Sequence, residues 1–234
     1  MVNESVAGSP APRARCLTTR SRRTPPAPLN SSVRPLGGES LNISDAQNRA
    51  TGEFVDLVAN KIGSGRAIHP ETAISSAARL AGSLLLRSFN LSIGSVEPGT
   101  VLLSNEANEK GPLLVGTVAA FLSKSGISLD KSLLGGEQSK RGAEPNLTVL
   151  QTLSTFQEDA LQISSKNGLS LEEAAQSAAL ATGFIVKECA GNIGAEVGFN
   201  VAAYGFIEGC KTAPPVLPHL ASASQKKKPW YKAW

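Results

Sequence analysis

Residues 170–210 read SLEEAAQSAALATGFIVKECAGNIGAEVGFNVAAYGFIEGC, and this stretch predicts two packed helices. Ser170 can accept the backbone N–H of Glu173 while the Glu173 side chain reaches back, which makes a capping box that starts a helix. Gly191 and Asn192 tolerate a left-handed backbone, so we expect the first helix to end there. Its apolar residues recur at the spacing of one helical face: Leu171, Ala174, Ala175, Ala178, Ala181, Ile185 and Cys189.

The second helix of this pair, predicted over residues 194–210, carries many small residues. Each interior glycine costs about 0.5–1 kcal/mol relative to alanine, so we expect the glycines to let another backbone approach closely. Small residues four apart are also common in membrane helices. Glu196, Asn200 and Glu208 interrupt the apolar run, which favours a buried helix in a water-soluble domain. The small residues close to one side are Gly194, Gly198, Ala202, Gly205 and Gly209.

The remaining sequence extends the helical pattern towards the N-terminus. The chain has 234 residues, of which 41% are apolar, enough to bury one core. Ser44 and Gln47 form another capping box, and Pro70 suits the first turn of a helix. We therefore predict an all-α domain over residues 41–213, a compact bundle of five or six helices. The helices outside the central pair are expected at 44–62, 70–89, 112–125 and 147–165, with a short one near 130–134.

Charge is divided between this predicted core and two basic ends. Residues 1–40 contain six Arg and two Glu, and residues 211–234 contain five Lys and no acid. Residues 41–210 contain 12 basic and 17 acidic residues. The Pro-, Ser- and Arg-rich head over residues 1–40 has few apolar groups to bury, so we expect it to be disordered. Residues 214–234 are interpreted as a disordered Pro-rich linker that leads into a basic and aromatic tail.

Four polar residues are candidates for a site inside the predicted bundle. Glu196, Asn200 and Tyr204 are spaced by four residues, so they share one face of the last helix. Arg79 lies on the broadly apolar second helix, where a buried arginine needs a carboxylate partner. We expect Arg79 to pair with Glu196. The four residues form either a structural polar network or a weak ligand site in the bundle interior.

A second candidate site lies in the C-terminal tail. Lysines neutralise phosphates, and aromatic rings stack on bases or rest at a bilayer surface. The tail is therefore a candidate for binding nucleic acid or an anionic membrane, with a solvated tail that has no partner as the alternative. Its candidate residues are Lys226, Lys227, Lys228, Trp230, Tyr231, Lys232 and Trp234.

Several chemistries are disfavoured by what the sequence lacks. His69 and His219 are far apart and no Cys–His spacing suits zinc, so we expect neither a metal site nor a cofactor. No hydrolase motif is present, although catalysis by a pair of carboxylates stays open. Cys189 and Cys210 are predicted near opposite ends of the last helix, too far apart for a disulfide, and are expected to be buried thiols in a reducing compartment.

The leading hypothesis is a helical interaction module that binds a protein partner or itself in the cytoplasm. No signal peptide and no transmembrane segment is expected, because no apolar run is long enough. A small-ligand binder or an enzyme that uses the bundle interior is one alternative. The others are tail-mediated binding of nucleic acid or membrane surfaces, and a protein exported or targeted to an organelle through its head, such as a secreted bacterial effector.

Overall fold

The structure is a computed structural model that describes residues 43–63, 68–91 and 96–217 of the chain. Six α-helices form most of these residues. Two short 3-10 helices, Lys131–Leu133 and Gly136–Arg141, separate the first three α-helices from the last three. The predicted all-α fold is confirmed, and residues 1–40 lie outside the described part. The helices are α1 Asp45–Ile62, α2 Pro70–Ser88, α3 Asn105–Lys124, α4 Val149–Lys166, α5 Leu171–Ile193 and α6 Ala195–Lys211.

The helix starts follow from short-range hydrogen bonds that the sequence encodes. The Ser44 hydroxyl accepts the backbone N–H of Gln47 at 3.2 Å, and the Gln47 side chain accepts the Ser44 N–H at 3.1 Å. Ser170 and Glu173 make the same reciprocal pair at the start of α5. These bonds satisfy N–H groups that the first helical turn leaves without a partner, so both predicted capping boxes are confirmed.

Helix α2 is the centre of the bundle. Every residue from Glu71 to Leu86 is buried, and α2 contacts all five other α-helices. Neighbouring helices therefore surround it on all sides. The sides of α2 without leucines carry alanines and serines. These side chains are small enough to pack against a neighbouring helix, and each buries no more than one polar side-chain atom.

Helices α2 and α6 approach each other closely, backbone against backbone. A Cβ atom added at Gly82 would lie 2.5 Å from the carbonyl oxygen of Phe206, closer than real Cβ contacts. A Cβ atom added at Gly209 would collide with the carbonyl oxygen of Arg79. Each helix therefore presents a glycine to the main chain of the other. The predicted role of the small residues in α6 is confirmed here, with α2 as the neighbour.

The turn between α5 and α6 lies at Gly194, so the predicted end at Gly191 and Asn192 is wrong. Gly194 has φ +86° and ψ 147°, a backbone conformation that residues other than glycine avoid. Its N–H still bonds to the carbonyl of Ala190 at 2.9 Å, and Ala195 begins the next helix directly. Gly191 and Asn192 continue α5 because an exposed glycine inside a helix costs only about 1 kcal/mol.

Helix α3 begins at Asn105 and not at Pro112, where the sequence placed its start. The Ser104 hydroxyl caps the helix by accepting the N–H of Ala107 at 3.1 Å. The first two turns are mostly exposed, so they show no apolar periodicity that could reveal them. Pro112 removes only the helical hydrogen bond to the carbonyl four residues earlier.

The chain after α6 packs back onto the bundle as a short strap, residues 212–217. Within the described residues Val101 and Thr212 form the one antiparallel bridge, with hydrogen bonds from Gly99 N–H to the Ala213 carbonyl and from Ala213 N–H to the Thr100 carbonyl. Leu217 is buried. The folded part therefore includes residues that the sequence analysis placed in a linker beginning at residue 214.

Gln157 of α4 holds this strap and is itself held by Arg87, near the C-terminal end of α2. Arg87 donates from Nη2 to the Gln157 Oε1 atom at 2.7 Å, and Gln157 donates from Nε2 to the Pro215 carbonyl at 2.9 Å. Burial lowers the pKa of Arg87 from its ordinary value. Among the helices that the structure describes, none has the length and apolar content to cross a lipid bilayer.

Candidate functional site

A groove of about 720 Å³ lies between α2, α6 and the segment 142–149 that leads into α4. Its floor is formed by Ser75 and Arg79 of α2, which are buried. One wall is the segment 142–149, which is irregular up to the start of α4, and the other is a face of α6 that includes Tyr204 and Glu208. Because both walls carry exposed residues, the groove is open to solvent along its upper side.

Arg79 is the charged residue at the bottom of this groove, with only 5% of its surface exposed. Its Nε atom donates to Glu208 Oε2 at 2.7 Å, and its Nη1 atom donates to the carbonyl of Leu147. A longer contact of 3.4 Å joins Nη1 to Thr152 Oγ1. The carboxylate and the carbonyl offset the cost of removing the guanidinium from water.

The segment 142–149 is held in place by the same helix that supplies Arg79. Glu71 accepts the Ala143 N–H at 3.0 Å, and the Thr72 hydroxyl accepts the Asn146 N–H at 2.9 Å. These two bonds and the Arg79 bond to the Leu147 carbonyl tie the segment to one face of α2 at three points. The groove is therefore a preformed feature of the bundle surface.

The predicted ion pair between Arg79 and Glu196 is wrong, because Arg79 pairs with Glu208. Gly209 lies against the Arg79 carbonyl, so the register of α6 on α2 puts Glu208 beside the guanidinium. Glu196 lies 12 residues earlier in α6, about 18 Å away along a helix that rises 1.5 Å per residue. Sequence spacing could show that a carboxylate was needed, but it could not show this register.

Glu196 and Asn200 serve a different region from the groove. Glu196 accepts the Asp130 N–H at 3.1 Å. Asn200, which is 4% exposed, accepts the Gly135 N–H at 2.9 Å and donates to the Leu133 carbonyl at 3.0 Å. The two side chains anchor the segment 130–135 to α6 and do not line the groove.

The segment 130–135 has a further internal support. The Asp130 carboxylate accepts both the hydroxyl and the N–H of Ser132, and these bonds lower the pKa of Asp130. Asp130 is exposed, so it orders the turn without forming a buried site.

Tyr204 is the other predicted residue that the structure places at the groove, where it is half exposed on the α6 wall. Glu208 was missed as a site residue, although it continues the four-residue spacing of Asn200 and Tyr204 by one more step. The wall at 142–149 was also missed, because an extended polar segment has no periodicity that marks it as ordered.

The candidate residues of the C-terminal tail, Lys226 to Trp234, lie outside the described residues, as does His219. In the part of the chain that the structure does describe, no three His, Cys, Asp or Glu side chains come close enough to hold a metal ion. Cys189 and Cys210 are both buried and form no disulfide within the described residues, as predicted.

Comparison of the chain with protein-family models, with curated proteins and with solved structures finds no match. The function has therefore to be inferred from the groove and the residues that form it, because a helical bundle alone is compatible with many activities.

Proposed function

We propose that the chain is a binding module that takes an extended peptide segment of a partner protein in the groove between α6 and residues 142–149. The observation that carries this proposal is the pairing of a preformed open groove with a buried charged floor at Arg79 and an exposed aromatic wall at Tyr204. Tyrosine and arginine are the residue types that most often dominate the binding energy of protein interfaces.

The backbone of the 142–149 wall supports a peptide as the occupant. Ala143, Asn146 and Thr148 direct their N–H groups to side chains of this domain. The N–H groups of Glu144 and Leu147 make no hydrogen bond to the described residues. An extended peptide beside this wall would supply carbonyls to such groups, which is how strands add to exposed backbone edges.

The openness of the groove favours a peptide over a small ligand or a substrate. Pockets for small molecules usually enclose most of the ligand surface, whereas Tyr204 is 51% exposed and the Glu208 side chain is 40% exposed. Ser75, the serine on the floor, donates its hydroxyl to the Thr72 carbonyl and not to a base. Binding is therefore better supported than catalysis.

A cytoplasmic location is part of the same proposal. It is supported by Cys189 and Cys210, which are buried and form no disulfide in the described chain, as is typical of reducing compartments. Self-association is the alternative form of the proposal, in which the bound segment belongs to a second copy of the chain.

The experiment that tests the proposal selects peptides from a random library with the full chain and measures their dissociation constants by calorimetry. We expect Tyr204→Ala to weaken the selected peptides about tenfold or more, because an aromatic side chain on the groove wall is removed. Ile207→Ala is the matched control. Ile207 lies one turn further along α6 and is 52% exposed, close to the value for Tyr204, but it does not line the groove.

The control variant should bind the selected peptides as tightly as the original chain. Equal losses for Tyr204→Ala and Ile207→Ala would show that the peptides bind elsewhere and would contradict the proposal. Failure to select any peptide would contradict it as well. Circular dichroism of both variants checks that the helices are retained.

A further inference from the structure

The guanidinium of Arg79 has hydrogen-bonding capacity that the protein does not use. Its Nε and Nη1 atoms have protein acceptors, but Nη2 makes no hydrogen bond to any described residue. An Nη2 atom without a partner is either fully buried or in contact with solvent. The Nη2 atom of Arg79 is not fully buried, and Arg79 lines the groove, so Nη2 is in contact with the solvent of the groove. Two N–H donors of a buried cation thus face the groove.

The carboxylate that neutralises Arg79 is held weakly for such a pair. Arginine and carboxylate groups often form two parallel hydrogen bonds. Glu208 uses one oxygen, Oε2, on one nitrogen, Nε, and its other oxygen makes no hydrogen bond within the described chain. Its side chain is 40% exposed, while that of Arg79 is 7% exposed. The glutamate can therefore swing into water at low cost, but the arginine cannot.

We infer that Arg79 is the receptor for a carboxylate of the bound peptide, and that Glu208 is a built-in competitor which this carboxylate displaces. The inference deepens the proposed function and rests on it. A displacing carboxylate can bind Nε and Nη2 together, which replaces one charge-assisted hydrogen bond with two. The charge of the buried guanidinium stays neutralised throughout the exchange.

The surroundings favour a carboxylate over a phosphate group. Glu144 and Glu208 both line the groove, and each carries a negative charge that repels an anion. A phosphate monoester carries a charge of about −1.5 to −2 at neutral pH, so it meets more repulsion than a carboxylate with a single charge. The planar guanidinium also matches the plane of a carboxylate.

The test follows the Nε–H signals of the arginine side chains in the full chain by NMR at constant ionic strength. N-acetylglycine supplies the carboxylate of a chain terminus, and the α-amide of N-acetylglutamate supplies that of a side chain. We expect at least one of these compounds to shift the Arg79 signal, and the one with the lower dissociation constant identifies the source. N-acetylglycinamide, which has no carboxylate, should cause no shift.

The sign of the effect of Glu208→Gln is the sharpest readout. If Glu208 competes for Arg79, its replacement should lower the dissociation constant of the effective carboxylate about fivefold. If the groove instead recognised a cation through Glu208, no carboxylate would shift the Arg79 signal of the unsubstituted chain. Glutamine keeps an acceptor oxygen for the Nε–H group of Arg79. If the variant fails to fold, the shift of the Arg79 signal in the unsubstituted chain still decides the question.

Arg87 serves as the internal control because it lies two helical turns from Arg79 on α2 and outside the groove. Equal shifts of the two signals, a larger shift of Arg79 with inorganic phosphate, or no shift would each overturn the inference. If Tyr204→Ala weakens peptide binding but no carboxylate shifts the Arg79 signal, only this inference fails. If no peptide depends on Tyr204, the proposed function fails whatever Arg79 binds.

Discussion

The thiol of Cys210 shows how the bundle changes the chemistry of a single residue. Burial raises its pKa to about 12, against a smaller opposite effect of Lys211, from an ordinary value of 9.0. The folded state therefore keeps the proton that the unfolded chain loses above pH 9. The stability that this proton contributes is complete below pH 9 and is lost as the pH rises towards 12.

We expect this difference to appear as a slope in the free energy of unfolding. Between pH 9 and pH 12 the Cys210 thiol should lower that free energy by about 1.4 kcal/mol per pH unit. Urea unfolding of the original chain and of Cys210→Ala, on either side of pH 9, isolates the contribution because other groups titrate in both. Parallel slopes in the two proteins would refute the assignment.

A second prediction at this scale concerns the serines buried in the helices. Ser83 is 1% exposed and its hydroxyl has no hydrogen-bond partner among the described residues, whereas Ser164 is 3% exposed and donates to the Ala160 carbonyl at 2.8 Å. Ser83→Ala should raise the free energy of unfolding by about 1 kcal/mol, because it removes a polar group buried without compensation.

Ser164→Ala is the matched control, since it removes the same atom, Oγ, from a serine whose hydroxyl has a hydrogen-bond partner. It should leave the free energy of unfolding unchanged or lower it by up to about 1 kcal/mol. Denaturant titrations compare the two variants. A loss of stability in Ser83→Ala as large as that in Ser164→Ala would mean that the Ser83 hydroxyl finds an acceptor in solution.

At the scale of the helices, packing of α6 on α2 depends on the absence of a side chain at Gly209. A Cβ atom there would collide with the Arg79 carbonyl, and backbone cannot move aside as a flexible side chain can. Gly209→Ala should therefore lower the free energy of unfolding by about 2–3 kcal/mol, as overpacking does in other cores.

Gly52→Ala provides the control for this effect. Gly52 lies inside α1, and a Cβ atom there would meet nothing within 4 Å. The substitution should raise the free energy of unfolding by about 0.5–1 kcal/mol, because alanine loses less backbone entropy in a helix. Thermal unfolding of both variants measures the contrast, and effects of the same sign would contradict it.

The helices also show which parts of the fold can be read from the sequence. The capping boxes at Ser44 and Ser170 are local, so both helix starts follow from residues three positions apart. The start of α3 is hidden because its first two turns are exposed and bury almost no apolar side chain. The turn at Gly194 is misplaced because several neighbouring residues tolerate the same backbone, and only packing selects one of them.

The candidate site shows the same division between local and distant information. The need for a carboxylate at Arg79 follows from its apolar helix, but the choice of Glu208 over Glu196 depends on the register between α2 and α6. That register is set by backbone contacts at Gly82 and Gly209. No spacing within one helix encodes it, so the groove itself could not be anticipated.

At the scale of the whole molecule, the bundle is closed by the strap that follows α6. Ala213 and Leu217 of the strap are 0% and 6% exposed, and the backbone of Ala213 bonds to Gly99 and Thr100. Gln157 adds a hydrogen bond to the Pro215 carbonyl at 2.9 Å. The strap therefore fixes residues 99–101, which precede α3, to the C-terminal end of α6.

Two truncations test whether the folded unit ends with this strap. A chain that ends at Leu217 keeps every contact described here, so its free energy of unfolding should equal that of the full chain. A chain that ends at Lys211 loses the buried Ala213 and Leu217 side chains and the two backbone bonds that join Ala213 to Gly99 and Thr100, which should lower the free energy of unfolding by about 2 kcal/mol or more. Urea titrations of the three proteins make the comparison. A loss of stability already at the first truncation would mean that residues beyond 217 contribute contacts to the bundle, whereas no loss at the second would mean that the strap lies on the surface without stabilising it.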